Sequence, residues 1–132
     1  MDKRSSSFGI SNGTRQGSVL SPALFAVYLD GLLDRLRKLG VGCHIGGCWY
    51  GVACFADDLI LLAPDRSAAA MMLKCCEQYA LEHNLEFSTD PNPALSKSKC
   101  IFFKGKLQNR ELPDNLMLLG EKLPWVERVE HL

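Results

Sequence analysis

The chain has 132 residues, 47% hydrophobic and 23% charged, with 15 basic residues balancing 15 acidic ones. That composition excludes a disordered chain and suffices for one modest domain, residues 1–132, with no linker or second domain dividing it. No apolar run reaches the roughly 18 residues that span a bilayer, and Met1 to Ser7 lacks the apolar stretch of a signal peptide. The expectation is an intracellular protein of nucleus or cytoplasm, not secreted and with no membrane partner.

In chain order, Phe8-Gly9-Ile10 reads as a short strand and Ser11-Asn12-Gly13 as a turn, since Asn-Gly is a strong turn dipeptide. Arg15-Gln16-Gly17-Ser18 follows: a cation, an amide and a glycine that permits close backbone approach to a ligand. Gln16 and Arg15 are placed to hydrogen-bond a base edge or phosphate, against the plainer reading of a polar loop. Ser21-Pro22 is a helix start, hydroxyl cap then proline. The helix runs to about Lys38 with an apolar stripe of Phe25, Tyr28, Leu29, Leu32, Leu36 and Leu39, an Asp34–Lys38 pair one turn apart, and Gly40 as its stop.

Cys43 to Ala63 reads as strands around Gly46-Gly47 and around Asp57-Asp58. The run Val52 to Leu62 is apolar except for those two adjacent carboxylates. Carboxylates at the tip of a buried hairpin are costly unless something positive meets them, and a divalent cation with oxygen ligands is the natural candidate. A solvated Asp-Asp turn is the competing reading, and the stretch alone leaves the two open.

Ser67 is a plausible cap for a second helix carrying Met72, Cys76, Tyr79, Ala80 and His83 to about Asn84. Leu85 to Ser88 is read as a short strand, Thr89 to Ala94 as a loop, Lys99 to Phe103 as a strand, and Asn115–Leu119 with Leu123–Val126 as a final hairpin. The fold class is α+β, an antiparallel sheet with two helices packed on one face. The six cysteines lack a Cys-x-x-Cys knuckle and read as reduced core thiols, Cys54 and Cys100 within strands. Between Ala94 and Arg110 every charge is basic, including Lys97, Lys99, Lys104 and Lys106, whereas acids prevail from Glu111 onward. Such a strip serves either as a lysine-guarded sheet edge or as a phosphate-contacting rim.

Taken together, Gly13 to Pro22, Phe55-Ala56-Asp57-Asp58 and the basic stretch near Lys97 closely resemble the reverse transcriptases of non-LTR (LINE-type) retrotransposons. The first segment resembles motif B and the second motif C, with Phe-Ala-Asp-Asp in place of the better-known Tyr-x-Asp-Asp form. Leu85 to Phe103 is similar to motif D, and Leu123 to Leu132 to the start of the primer-grip motif E.

The resemblance implies a partial polymerase palm and two-metal nucleotidyl transfer with Mg²⁺. It implies RNA template, DNA primer and dNTP as partners; the oligomeric state stays unknown. Asp57 would be the principal metal ligand and catalytic carboxylate, with Asp58 a less direct one. Arg15, Gln16, Gly17 and Phe55 would line the pocket for template and nucleotide. Lys97, with Lys99 as second choice, would protonate the departing pyrophosphate, and Lys99, Lys104 and Lys106 would contact the nucleic-acid backbone.

The family's motif A, which supplies a further metal-binding Asp upstream of motif B, has no counterpart here, and Asp2 and Asp30 are no substitutes. The expectation is therefore a fragment of an RNA-directed DNA polymerase that is catalytically incomplete alone. The alternatives are a non-enzymatic nucleic-acid-binding remnant and a functionless transposon relic.

Overall fold

The computed structural model describes residues 19–92, 94–103 and 113–128. The strand and turn expected over Phe8 to Gly13 lie outside them.

Helix α1 spans Ser21–Leu39. Leu29, Leu32 and Leu36, spaced three and four apart, bury one face, and Gly40 closes the helix in the left-handed conformation at φ 72°. Phe25 is half-buried beside them, while Tyr28 and Leu39 lie at the margin of exposure. Ser21 is not the cap. The Leu20 carbonyl already accepts the Leu24 N–H at 3.0 Å, so the helix begins one residue earlier and Ser21 falls inside its first turn. Pro22 remains in that turn, where its missing N–H is harmless. The Asp34–Lys38 ion pair forms at 2.6 Å.

Helix α2 spans Arg66–His83 and buries Ala68, Met72, Cys76, Tyr79 and Ala80. Its cap is Asp65 rather than Ser67: the Asp65 carboxylate accepts the Ala68 N–H at 2.8 Å from an extended backbone, leaving Ser67 within the first turn. Asn84 ends the helix at φ 51°.

The two helices meet where α1 has no side chain. A methyl group added at Gly31 would lie 2.7 Å from the Tyr79 hydroxyl, which donates to the Tyr28 carbonyl at 2.6 Å. Tyr28 in turn donates to the His83 carbonyl, His83 stacks on Tyr79 at 3.8 Å, and Arg35 pairs with Glu82 at 2.6 Å while lying over the Tyr79 ring. Fully buried Leu32, Leu36 and Met72 fill the space between the helices.

Beneath this layer lie two hairpins. Strands β1 (His44–Ile45) and β2 (Cys48–Trp49) turn through Gly46 and Gly47, both at positive φ as the tight right-twisted hairpin turn requires. Trp49 lies across Gly42 and Gly51, where a Cβ would collide with its ring, and its indole donates to the Val41 carbonyl at 2.6 Å. Strands β3 (Val52–Phe55) and β4 (Asp58–Leu61) form the second hairpin, which packs Val52, Leu59 and Leu61 against the helices.

Past α2, the expected strand at Leu85–Ser88 does not form. The Ser88 carbonyl accepts the Ser98 N–H, but no ladder follows. The strand expected over Lys99–Phe103 shortens to β5 (Cys100–Ile101). The last hairpin is tighter than expected: β6 (Met117–Leu118) pairs with β7 (Glu121–Lys122) around Leu119-Gly120. The residues beyond it, Trp125–Val126, form β8 in parallel register with β5. Leu116, Leu118 and Leu123 make a second small core against Ala69, Leu73, Phe87 and Trp125. The fold is α+β as expected, its sheet content divided among the described residues into four two-stranded ladders, three antiparallel and one parallel. All six cysteines are free, as expected for thiols, but only Cys76 is buried; Cys48 and Cys54 are exposed. Cys54 lies near the hairpin tip, where helix cover has ended.

Candidate metal and nucleic-acid site

Antiparallel pairing sets Val52 opposite Leu61, Ala53 opposite Ile60, Cys54 opposite Leu59 and Phe55 opposite Asp58. Side chains of opposed residues share a face. Val52, Leu59 and Leu61 face the helices, so the alternate set Ala53, Phe55, Asp58 and Ile60 faces away from them. Phe55 is 75% exposed there beside the Asp58 carboxylate.

The loop is Ala56-Asp57 alone, and Ala56 holds φ 52°. A left-handed alanine costs about 1–2 kcal/mol relative to the right-handed region. Asp57 thus stands on the second position of the two-residue turn and Asp58 opens strand β4 beside it, both exposed. Among the described residues neither carboxylate engages in an ion pair or a side-chain hydrogen bond.

Hard oxygen donors without a partner suit a divalent cation such as Mg²⁺. The donor set is nonetheless partial: no group of three or more His, Cys, Asp or Glu that could hold a metal occurs among the described residues. The hairpin presents two carboxylates, whereas a two-metal site requires more ligands than that.

Lys97 and Lys99 are both exposed, on a bend held by the Ser96 hydroxyl, which donates to the Ser98 carbonyl at 2.8 Å. No ion pair joins either lysine to the Asp pair. Arg15, Gln16, Gly17, Lys104 and Lys106 lie outside the described residues. What the sequence could not reveal are ties between distant residues. Arg66 donates to the Asp114 and Asn115 carbonyls, and Glu77 accepts from the Leu119 N–H, across separations of 42 to 49 residues that no local spacing signals.

A family model described as reverse transcriptase (RNA-dependent DNA polymerase) matches residues 1–108, and the chain belongs to that family. The match takes in the Asp57-Asp58 hairpin and the segments around Gln16 and Lys97; the stretch from Leu123 lies beyond it.

The relatives are of the non-LTR retrotransposon kind. The chain is 40% identical over 74 residues to a retrovirus-related Pol polyprotein from type-1 retrotransposable element R2 of Nasonia vitripennis, covering 56% of this chain and 7% of the relative. It is 33% identical over 96 residues to the Pol polyprotein from type-2 retrotransposable element R2DM of Drosophila melanogaster, covering 73% of this chain and 8% of the relative. A putative 115 kDa protein of type-1 element R1DM from the same fly is 26% identical over 123 residues, 93% of this chain and 11% of the relative. The chain therefore spans about a tenth or less of the curated relatives it matches. No solved structure matches.

Proposed function

We propose that this chain is the palm segment of an RNA-directed DNA polymerase of a non-LTR retrotransposon, acting inside the cell on an RNA template, a DNA primer and dNTPs. The observation that carries the reading is the pair of exposed, unpartnered carboxylates at the hairpin tip, Asp57 in the two-residue turn and Asp58 opening β4, in a chain of the reverse transcriptase family.

Asp57 is the principal ligand for Mg²⁺ and Asp58 the accessory one, and both belong to the catalytic site. The bound metal supplies charge stabilisation for phosphoryl transfer and a lowered pKa for the attacking hydroxyl. The chain's own residues orient the reactants. Phe55, on the face shared with Asp58, offers a ring edge to nucleotide or template. Arg15, Gln16 and Gly17, by the family resemblance of their motif, would contact the template and incoming nucleotide. Lys97 donates a proton to the departing pyrophosphate, and Lys99, Lys104 and Lys106 contact phosphates of the backbone. The hairpin offers two carboxylates and no third ligand is grouped with them among the described residues; on this reading the remaining ligands come from outside those residues, and the isolated chain is inactive.

The test replaces the aligned segment of a full-length R2 polymerase with this chain and measures Mg²⁺-dependent primer extension on RNA. The expected result is extension that Asp57→Ala reduces by at least about 10²-fold, with no extension by the isolated chain. Extension that survives Asp57→Ala would overturn the assignment of the Asp pair. Extension by the isolated chain would overturn its incompleteness.

A further inference from the structure

The last hairpin presents an open backbone edge to helix α2. The Leu116 carbonyl accepts the Leu123 N–H at 2.8 Å, so Leu116–Leu123 is a hydrogen-bonded pair of the β6–β7 ladder. Hydrogen-bonded and non-bonded pairs alternate in an antiparallel ladder. Met117, opposite Lys122, is thus a non-bonded pair, and its N–H and C=O point outward. The neighbours two residues away on that edge are both met by α2: Arg66 Nη2 donates to the Asn115 carbonyl at 3.3 Å, and the Leu119 N–H donates to Glu77 Oε1 at 2.6 Å.

Between these clamps α2 presents Ala70 and Lys74, on the face that continues from Arg66 to Glu77 at helical spacing. Ala70 is too short to reach the edge, and a solvent-open groove of about 220 Å³ remains, floored by Ala70, Leu116 and Met117. Lys74 is exposed and forms no ion pair. Glu77 is committed through Oε1 to the Leu119 N–H, and Asp65 to its helix cap. Asp114 is exposed beside Arg66, which bonds its carbonyl rather than its carboxylate.

We propose that this groove binds one nucleotide of a single-stranded nucleic acid, on a surface separate from the Asp57-Asp58 turn. The outward N–H and C=O of Met117 form a donor–acceptor pair that matches the edge of an unpaired base. The apolar floor takes the base, and Lys74 with the uncommitted N–H groups of Arg66 takes its phosphate. The choice of nucleic acid as ligand rests on the polymerase reading; the geometry of the groove does not.

The test is fluorescence anisotropy of a labelled twelve-nucleotide single-stranded RNA on the full chain at several salt concentrations. Lys74→Glu is expected to weaken binding about tenfold and to lower the salt slope by about one. Ala70→Leu fills the groove without changing charge, at little cost in helix propensity, and is expected to weaken binding comparably. Binding unaffected by Lys74→Glu overturns the proposal while leaving the polymerase reading intact. A loss in Lys74→Glu without a loss in Ala70→Leu overturns it too, since that pattern is surface charge and not a groove. No binding by the unaltered chain also overturns it, whereas the polymerase reading stands or falls on Asp57.

Discussion

Ala56 bears the geometric strain of the Asp hairpin. At φ 52° an alanine is held in a region that glycine occupies at no steric cost. Ala56→Gly is therefore expected to stabilise the fold by up to about 1 kcal/mol, the relief of strain outweighing glycine's extra unfolded-state entropy. Ala53→Gly, in regular strand one turn-step away, is expected to cost about 0.5–1 kcal/mol. Urea midpoints of the two variants measure both signs.

The buried thiols tie stability to pH. Burial pushes Cys76 up to about 12 and Cys100 up to about 11, from an ordinary value of 9.0. A raised thiol pKa means that the folded state holds its proton longer than the unfolded state. The resulting stability is complete below pH 9 and is lost as pH rises toward 11 and 12. The urea midpoint should fall across that window. In alkylation at pH 8, the exposed Cys48 and Cys54 should react well before Cys76.

At the scale of elements, the helix pair depends on a missing side chain. Gly31→Ala gains helix propensity but drives a methyl group into the hydroxyl end of Tyr79, a ring already stacked on His83. Overpacking of this kind costs about 1–3 kcal/mol and should prevail, measured as a lower urea midpoint. The Arg35–Glu82 tie across the same junction carries a pH sign of its own. The hydrogen bond from Arg35 holds the Glu82 carboxyl below its usual range, so its contribution is present near neutrality and lost as pH falls through that depressed value.

Both helices were legible in the sequence because period and stop signals agreed: the Leu29–Leu32–Leu36 stripe, Gly40 and Asn84. Their starts were each misplaced by a residue or two, since a carbonyl or carboxylate nearby outcompeted the serine chosen as cap. The strands after α2 were the least legible. Apolar composition at Leu85–Ser88 cannot tell that no partner strand lies beside it, and nothing local to Trp125 announces that it pairs with Cys100 in parallel.

At the scale of the molecule, the helices and hairpins make one platform that exposes the Asp57-Asp58 turn on the side away from its cover. The pair itself was visible in the sequence as a break in an apolar run, and what the fold adds is its setting. Phe55 and Asp58 share the outer face, Asp57 occupies the turn, and no cation among the described residues neutralises either carboxylate. The clamped edge at Met117 had no signal in the sequence, because it arises from residues more than 40 positions apart.

The claim that the turn is a metal site can be read directly from the isotope-labelled chain by NMR during a Mn²⁺ titration. Paramagnetic broadening is expected to centre on Ala56 to Leu59, greatly reduced in Asp57→Asn and less so in Asp58→Asn. Broadening centred on other carboxylates, or persisting unchanged in Asp57→Asn, would contradict it.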